Sequence, residues 1–475
     1  MSSIIEKISP ELDYVHKVGN HSSPLYVKLQ PINNIQTFNA SLTSVYGPIE
    51  ILIPAKCLSL KKSRVSFDLT VPAQAANTFA WMQGNALCMF DRVTITSQNT
   101  NQVLMDIPNF NRYASMLSPI LTSNVELNNK SSPLYGLAVT PAMFTTQALA
   151  QQQPLEDVSR SNASVNVDGL STDIGTPYMG IRKLFVSSAV ATANALAFEF
   201  ELGSIQASIC DLEQLLYFAG EQLLISFYFA PVSRFAWGGT SASVPSTNVI
   251  PATGNWSVNN LALYLYTEQN IGVSTALVEK VMRSGLSIPF PYAFISRNSV
   301  SSGSWAVTQQ LTRGFGSKLL FVATSIFNPT ESGNTAQDHS VSGLLGATNG
   351  QYTSLNYNSY IDNVAILTNN NIQFINTNAG TQSGEHWLYN KEHLKGSSIN
   401  SLINYNVDFC HIDSFINDSL CSADWTAIDG LSLDAMHQFS FVSYGSSSNS
   451  VTNNVYIIFV CQKTLTLSPS GVQIV

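Results

Sequence analysis

The chain has 475 residues, 45% of them hydrophobic and 11% charged, with a formal net charge of −8. An average soluble protein is about 25% charged, so this surface relies on Ser, Thr, Asn and Gln or is buried against other protein, as in a self-assembling chain. The acidic balance excludes broad neutralisation of nucleic-acid phosphates, which needs clustered Lys and Arg, and the length predicts two or three domains.

No apolar run reaches the roughly 18 residues of a membrane-spanning helix, and Met1–Lys7 lacks the basic-then-apolar layout of a secretory signal. Synthesis in the cytosol is therefore expected. Cys57, Cys88, Cys210, Cys410, Cys421 and Cys461 form no C-x-x-C pair, which predicts free thiols rather than disulfides.

Residues 1–33 read as an N-terminal arm. Ser9 can cap a short helix with Pro10 at its first position and Gly19 as its stop. That helix is too short to persist without a partner. Strand signals begin near Ile35 and continue through Ile49–Ile53 and Val65–Val71, followed by Pro54 and Pro72. Lys61, Lys62 and Arg64 form the one dense basic cluster, read as a solvated turn ahead of the Val65 strand. Leu87–Ile95 and Val103–Ile107 alternate, with Ser97–Gln102 as the turn between them, and Pro108–Leu117 predicts a helix stopping before Pro119. Residues 120–180 are a long polar excursion, of a kind that usually has a function.

A unit then occurs twice. In the first half Ala197–Leu202 predicts a strand, Ser208–Gly220 a capped helix with Leu212, Leu215 and Leu216 on one face, and Gln222–Phe229 a second strand. In the second half Asn260–Tyr266, Ser274–Gly285 and Leu286–Phe290 repeat the order. The Gly/Ser-rich stretch 236–257 between them reads as a domain junction. Further on, Leu319–Ala323 and Asn363–Leu367 read as strands, 328–352 as a second long loop, and Phe439–Val442 with Val455–Val460 as a terminal hairpin.

Two strand-rich halves of this size, each with long loops, suggest two sandwiches side by side. In order and spacing, Phe90–Ile95 followed by Val103–Tyr113, Leu263–Glu268 followed by Leu277–Val281, Phe315–Phe327, Tyr357–Tyr360, and Phe409–Phe415 leading to Gly430–Leu433 resemble the double jelly-roll major capsid proteins of double-stranded DNA viruses. That lineage spans adenovirus hexon, tailless membrane-containing phages, giant viruses, virophages and polinton-like viruses, and the length matches its small, virophage-like members.

The resemblance implies an all-β fold of two tandem eight-stranded jelly-roll sandwiches with short inserted helices. The expected organisation is an arm over 1–33, a first roll over 34–237, a linker over 238–256 and a second roll over 257–475. It implies a non-enzymatic shell subunit of the virion. The chain would form a pseudo-hexameric homotrimer tiling an icosahedral facet, with neighbouring capsomers and penton and minor or cement proteins as partners. The arm would point inward, toward protein or an inner membrane, without sequence-specific nucleic-acid binding.

Chemistry-bearing clusters are weighed against plainer readings. Cys410, His411, Asp413 and Cys421 lack the paired short spacing of a closed zinc site and read better as core or loop residues. His386 and His393 flank Trp387 and suit a polar loop at a subunit contact better than a metal or pH site. Asp211 and Glu213 suit the start of the expected helix. Trp237, Trp256, Trp305 and Trp387 suit either subunit contacts or the ends of a sandwich core. No catalytic, cofactor or metal residue is assigned. Two rival readings are a carbohydrate-binding module, which needs aromatic platforms or a calcium site, and a β-sandwich glycosidase, which needs two carboxylates at fixed separation.

Overall fold

A computed structural model describes residues 23–32, 37–40, 44–71, 79–83, 86–121, 181–184, 194–239, 249–251, 256–301, 303–311, 315–327, 352–361, 364–367, 393–396, 411–417, 419–423, 425, 430–433, 439–447 and 453–475. The expected arm helix, most of the loops 120–180 and 328–352, Cys410, His386 and Trp387 lie outside these residues.

Alternation writes the strands. In β3 (Tyr46–Ile53) Ile49, Ile51 and Ile53 are fully buried while Glu50 and Leu52 are half-exposed, the two-residue period of a sheet with one face on a core. The first half comprises β1 (Pro24–Leu29), β2 (Thr37–Ala40), β3, β4 (Leu58–Val71), β5 (Phe79–Gln83), β6 (Phe90–Ser97), β7 (Val103–Pro108), helix α1 (Phe110–Leu121), β8 (Ile181–Leu184) and β9 (Asn194–Glu201). It continues with β10 (Leu223–Phe229), the short helix α2 (Val232–Phe235), β11 (Ala236–Gly239), β12 (Val249–Pro251) and β13 (Trp256–Glu268). Helix α3 (Ile271–Ser284) leads to β14 (Leu286–Val300), β15 (Gly303–Leu311), β16 (Lys318–Phe327), β17 (Tyr352–Ile361), β18 (Val364–Leu367) and β19 (His411–Ser414). The chain ends with β20 (Leu431–Ser432), β21 (Phe439–Ser447), β22 (Asn453–Ser468) and β23 (Gly471–Ile474).

The pairing order is the same in both halves. The first half pairs β1-β13-β4-β9 in one sheet, with β2 also on β13, and β3-β10-β6-β7 in the other. The second half pairs β14-β22-β16-β19, with β20 on β16 and β23 on β22, against β15-β21-β17-β18. Counting β1 and β2 as one interrupted strand, each half places its first, eighth, third and sixth strands in one sheet and its second, seventh, fourth and fifth in the other. All these pairs are antiparallel. Eight strands so interleaved make a jelly roll, and the chain carries two.

Each roll packs its two sheets face to face, and the buried apolar residues of the two rolls run together as one continuous cluster. In the first, Phe67 on β4 meets Phe90 on β6 and Phe229 on β10 across the sandwich, and Phe90 also meets Phe200 and Phe227. In the second, Phe441 on β21 meets Phe459 on β22 edge-on, with ring centroids 6.0 Å apart. A further sheet, β12-β11-β5-β8, is built from connections of the first roll that leave the same end of the sandwich. Helix α3 and the start of β1 lie at the opposite end, since Pro24 pairs with Glu268 while β13 begins at Trp256.

Several expectations are corrected. Residues 24–29 are an edge strand of the first roll rather than part of an arm, because their backbone pairs with β13. The expected linker 238–256 contains most of the β11–β12 hairpin and opens β13. Strand β13, expected to open the second roll at 257, pairs with β4 and completes the first, so the crossing between rolls falls at α3. The helix expected at 208–220 is a single 3-10 turn, Ile209–Asp211, because Leu216 instead exchanges both backbone hydrogen bonds with Leu58. Helix α1 runs on through Pro119 to Leu121, and Ile120 and Leu121 are buried. The expected terminal hairpin does not exist, since β21 and β22 lie in opposite sheets. Lys61–Arg64 lies inside β4, not in a turn.

Candidate functional site

The feature that most shapes what the chain can do is the seam between the rolls, built mainly by the β9–β10 connection of the first roll and by β14, β23 and the β19–β21 connection of the second. Two carboxylates anchor it. Ser208 caps the 3-10 turn, its hydroxyl accepting from the Cys210 amide at 3.1 Å. That turn projects Asp211, whose Oδ2 accepts from the Trp425 indole Nε1 at 3.0 Å. Asp211 also pairs with Lys61 Nζ at 3.1 Å, and the same ammonium reaches Glu213 at 3.1 Å. Burial pushes the Asp211 carboxyl up to about 6, against the pull of Lys61 and the Trp425 bond. Burial pulls Lys61 down, but its two carboxylates together outweigh that and raise it.

The second anchor is Glu221, a buried residue just ahead of β10. Its Oε1 accepts from the Val472 amide of β23 at 3.0 Å, and its Oε2 accepts from the Thr100 hydroxyl at 3.0 Å in the β6–β7 turn. One side chain thus ties the last strand of the chain to the first roll. A Cβ at Gly471 would sit 2.5 Å from Glu221 Oε1, on a backbone with φ of +109°, so only glycine allows this approach. Between the anchors, β7 meets β14 along a crevice lined by Met105, Ile107, Ile209, Tyr292 and Ala293. Lys463 lies over the Tyr292 ring, 4.6 Å from its centroid. Burial raises the Tyr292 phenol and lowers the Lys463 ammonium.

The clusters singled out in the sequence fall in other places. Asp413 is buried on β19, and Cys421 donates to the Lys395 carbonyl at 3.2 Å. Among the described residues no group of three or more His, Cys, Asp or Glu side chains is placed to hold a metal. Cys57, Cys88, Cys210, Cys421 and Cys461 are free thiols, and burial pushes Cys210 and Cys461 up to about 12. Leu212 and Leu216 enter the core and Leu215 is half-buried. Trp256 is fully buried and Trp305 nearly so, which makes both core residues, while Trp237 is a strand residue of β11. Within the basic cluster, Arg64 pairs with Glu199 and Glu201 across to β9, so Lys61 and Arg64 are engaged by carboxylates of the same chain, and Lys62 lies over the Tyr266 ring.

Sequence reasoning missed Glu221 and Trp425. A glutamate directly after the stop glycine Gly220 reads as an ordinary turn residue, and its partners are 121 and 251 positions away. Only pairing that is non-local in sequence brings them together.

No family model matches the sequence, and no curated protein is similar to it in sequence. Solved structures are similar in fold. The Faustovirus major capsid protein aligns over 94% of this chain and 91% of its own at 10% identity, with a TM-score of 0.51. PBCV-1 VP54, fitted into a reconstruction of the virophage Sputnik, aligns over 96% and 97% at 9% identity, with a TM-score of 0.50. The mavirus major capsid protein aligns over 95% and 89% at 8% identity, with a TM-score of 0.49. The chain has the double jelly-roll fold. At these identities the likeness is one of fold, and it extends over both rolls.

Proposed function

We propose that the protein is a major capsid protein, a non-enzymatic shell subunit of an icosahedral double-stranded DNA virus. The observation that carries this reading is the pair of complete, identically wired rolls in one chain, matched over nearly its whole length by viral capsid proteins of the same fold.

The seam supplies the physical argument. Glu221 and the Asp211–Trp425 bond fix the two rolls to one another, so the chain presents them as a rigid pair. Three such pairs around a threefold axis make six lobes, a shape that packs hexagonally on a flat facet while each chain keeps a defined orientation. With 11% charged residues, the surface gains more from burial against copies of itself than a charge-rich surface would. The further sheet β12-β11-β5-β8 marks one end of the first roll and suits the outer face of such a tile. Neighbouring capsomers, penton proteins and minor or cement proteins are the partners this role requires, and the virion is its place.

Mass measurement in solution together with negative-stain imaging tests the reading. A particle of three chains with a six-lobed outline is the expected result. A monomer at micromolar concentration, or a ring of another order, would overturn it.

A further inference from the structure

Helix α3 is long, well formed and poorly covered. Asn270 caps it, its side-chain oxygen accepting from the Gly272 amide at 2.9 Å, and Gly285 closes it at a φ of 73°. Of its seven apolar residues only Val281 is buried. Ile271 is 81% exposed and Met282 41% exposed, and Val273, Leu277 and Val278 are half-covered. A stripe that apolar on an isolated helix face marks a contact not yet made.

The described chain begins beside this helix. The Ser23 amide donates to Glu268 Oε1 at 2.8 Å, and the Gln269 amide donates to the Ser23 carbonyl at 2.8 Å, next to the cap residue Asn270. Twenty-two residues precede Ser23, and Ile4, Ile5 and Ile8 ahead of Pro10 with Leu12 and Val15 after it make them rich in apolar side chains. A helix of 14 residues is about 21 Å long. A tether rises by as much as roughly 3.3 Å per residue, so this segment reaches every part of α3. Its charges, Glu6, Glu11 and Asp13 against Lys7 and Lys17, complement Lys280 and Arg283 against Glu279 on the helix. An occupant tethered this close acts at an effective concentration near millimolar, which favours it over a free partner.

We propose that the apolar residues of segment 4–18 dock in cis on the exposed face of α3, covering Ile271, Val278 and Met282. The contact would form in the isolated subunit, so its failure leaves the proposed capsid role untouched.

A photo-crosslinking residue at position 282 of the full chain tests this, with isotopically light and heavy chains mixed. Crosslinks to residues 4–18 of the same chain are expected. Crosslinks to another chain, only to the body of the protein, or to lipid when phosphatidylserine vesicles are present, would each overturn it. Hydrogen exchange gives an independent reading. The double substitution Ile8→Asp and Leu12→Asp should speed exchange across residues 271–284 about tenfold while β4 and β22 keep their protection. Unchanged exchange in the helix would overturn the proposal.

Discussion

The two rolls share one wiring and differ in what fills and borders it. The first holds a cluster of six phenylalanines, Phe67, Phe90, Phe198, Phe200, Phe227 and Phe229, in mutual ring contact. The second carries edge-on ring pairs, Phe441–Phe459 and Phe415–Phe439, with the aliphatic Val322, Val455 and Ile457 on the same sheet face as Phe459. The first also interrupts its opening strand and grows an extra sheet from its connections, whereas the second opens with the unbroken fifteen-residue β14. The same topology therefore does not depend on a particular set of core side chains. It needs strands of the right length and alternation, and the details of packing decide how much each roll can tolerate.

Truncating a hub of the aromatic cluster should have the largest effect. Phe90→Ala removes ring contacts with four neighbours and should cost about 4–5 kcal/mol, the upper end for a buried Phe. Phe441→Ala in the second roll should cost about 3 kcal/mol, the lower end for a buried Phe, because it is not a hub of the six-ring cluster. Chemical denaturation of both variants measures the difference. Equal costs would show that the aromatic cluster gives the first roll no special rigidity.

The seam comes next. Glu221→Ala strands the buried Val472 amide and removes the tie to Thr100, whose hydroxyl keeps Ser97 Oγ, and should cost about 2–3 kcal/mol. It should also separate the rolls in calorimetry, turning one melting transition into two. A single transition at a lower temperature would mean that the β7–β14 packing alone couples them.

These two effects bear on what the sequence makes legible. Alternation exposes β6, β7 and the start of β14, and the stretch Ser274–Gly285 exposes most of α3, which its Asn270 cap starts one turn earlier. The region 208–220 misleads because Leu212, Leu215 and Leu216 imitate a helical stripe. The burial that matters there runs through Leu212, Leu216 and Phe218, which suits extended chain. Jelly-roll wiring sets the seventh and eighth strands of a roll in opposite sheets, so β21 and β22 read as a hairpin they do not form. The seam is less legible still, because Asp211 and Trp425 are 214 residues apart and nothing local announces their bond.

Acid should strengthen one seam contact. Burial raises the Asp211 carboxyl in the folded protein to about 6, above its ordinary value of 3.8. The folded protein therefore binds this proton first. The contribution of the group is fully present below pH 3.8, and it is lost as the pH rises through about 6. Asp211→Asn keeps an acceptor for Trp425 and removes the cost of a buried charge, while Lys61 keeps Glu213. The variant should match or exceed the parent at pH 7.5, by on the order of 1 kcal/mol, and the gain should vanish near pH 4. Melting curves at the two pH values decide it. A variant weaker than the parent at pH 7.5 would show that the Lys61 pair outweighs desolvation.

The smallest effect belongs to Arg64, three residues from Lys61 on the same strand. Its side chain is 39% exposed and its partner Glu199 43% exposed. Water already screens such a pair, and fixing two long side chains offsets much of the attraction. Arg64 also lies over the Tyr26 ring, 5.7 Å from its centroid, so its truncation loses some packing as well as charge. Arg64→Ala should therefore cost less than about 1 kcal/mol, and part of that cost should persist at high salt because it comes from the ring contact. Lys61→Ala, which leaves Asp211 buried without its cation, should cost more at pH 7.5 than at pH 5, where the carboxyl can take up a proton instead. A pH-independent cost for Lys61→Ala, or a larger one for Arg64→Ala, would place the strong electrostatics of β4 on its exposed face rather than at the seam.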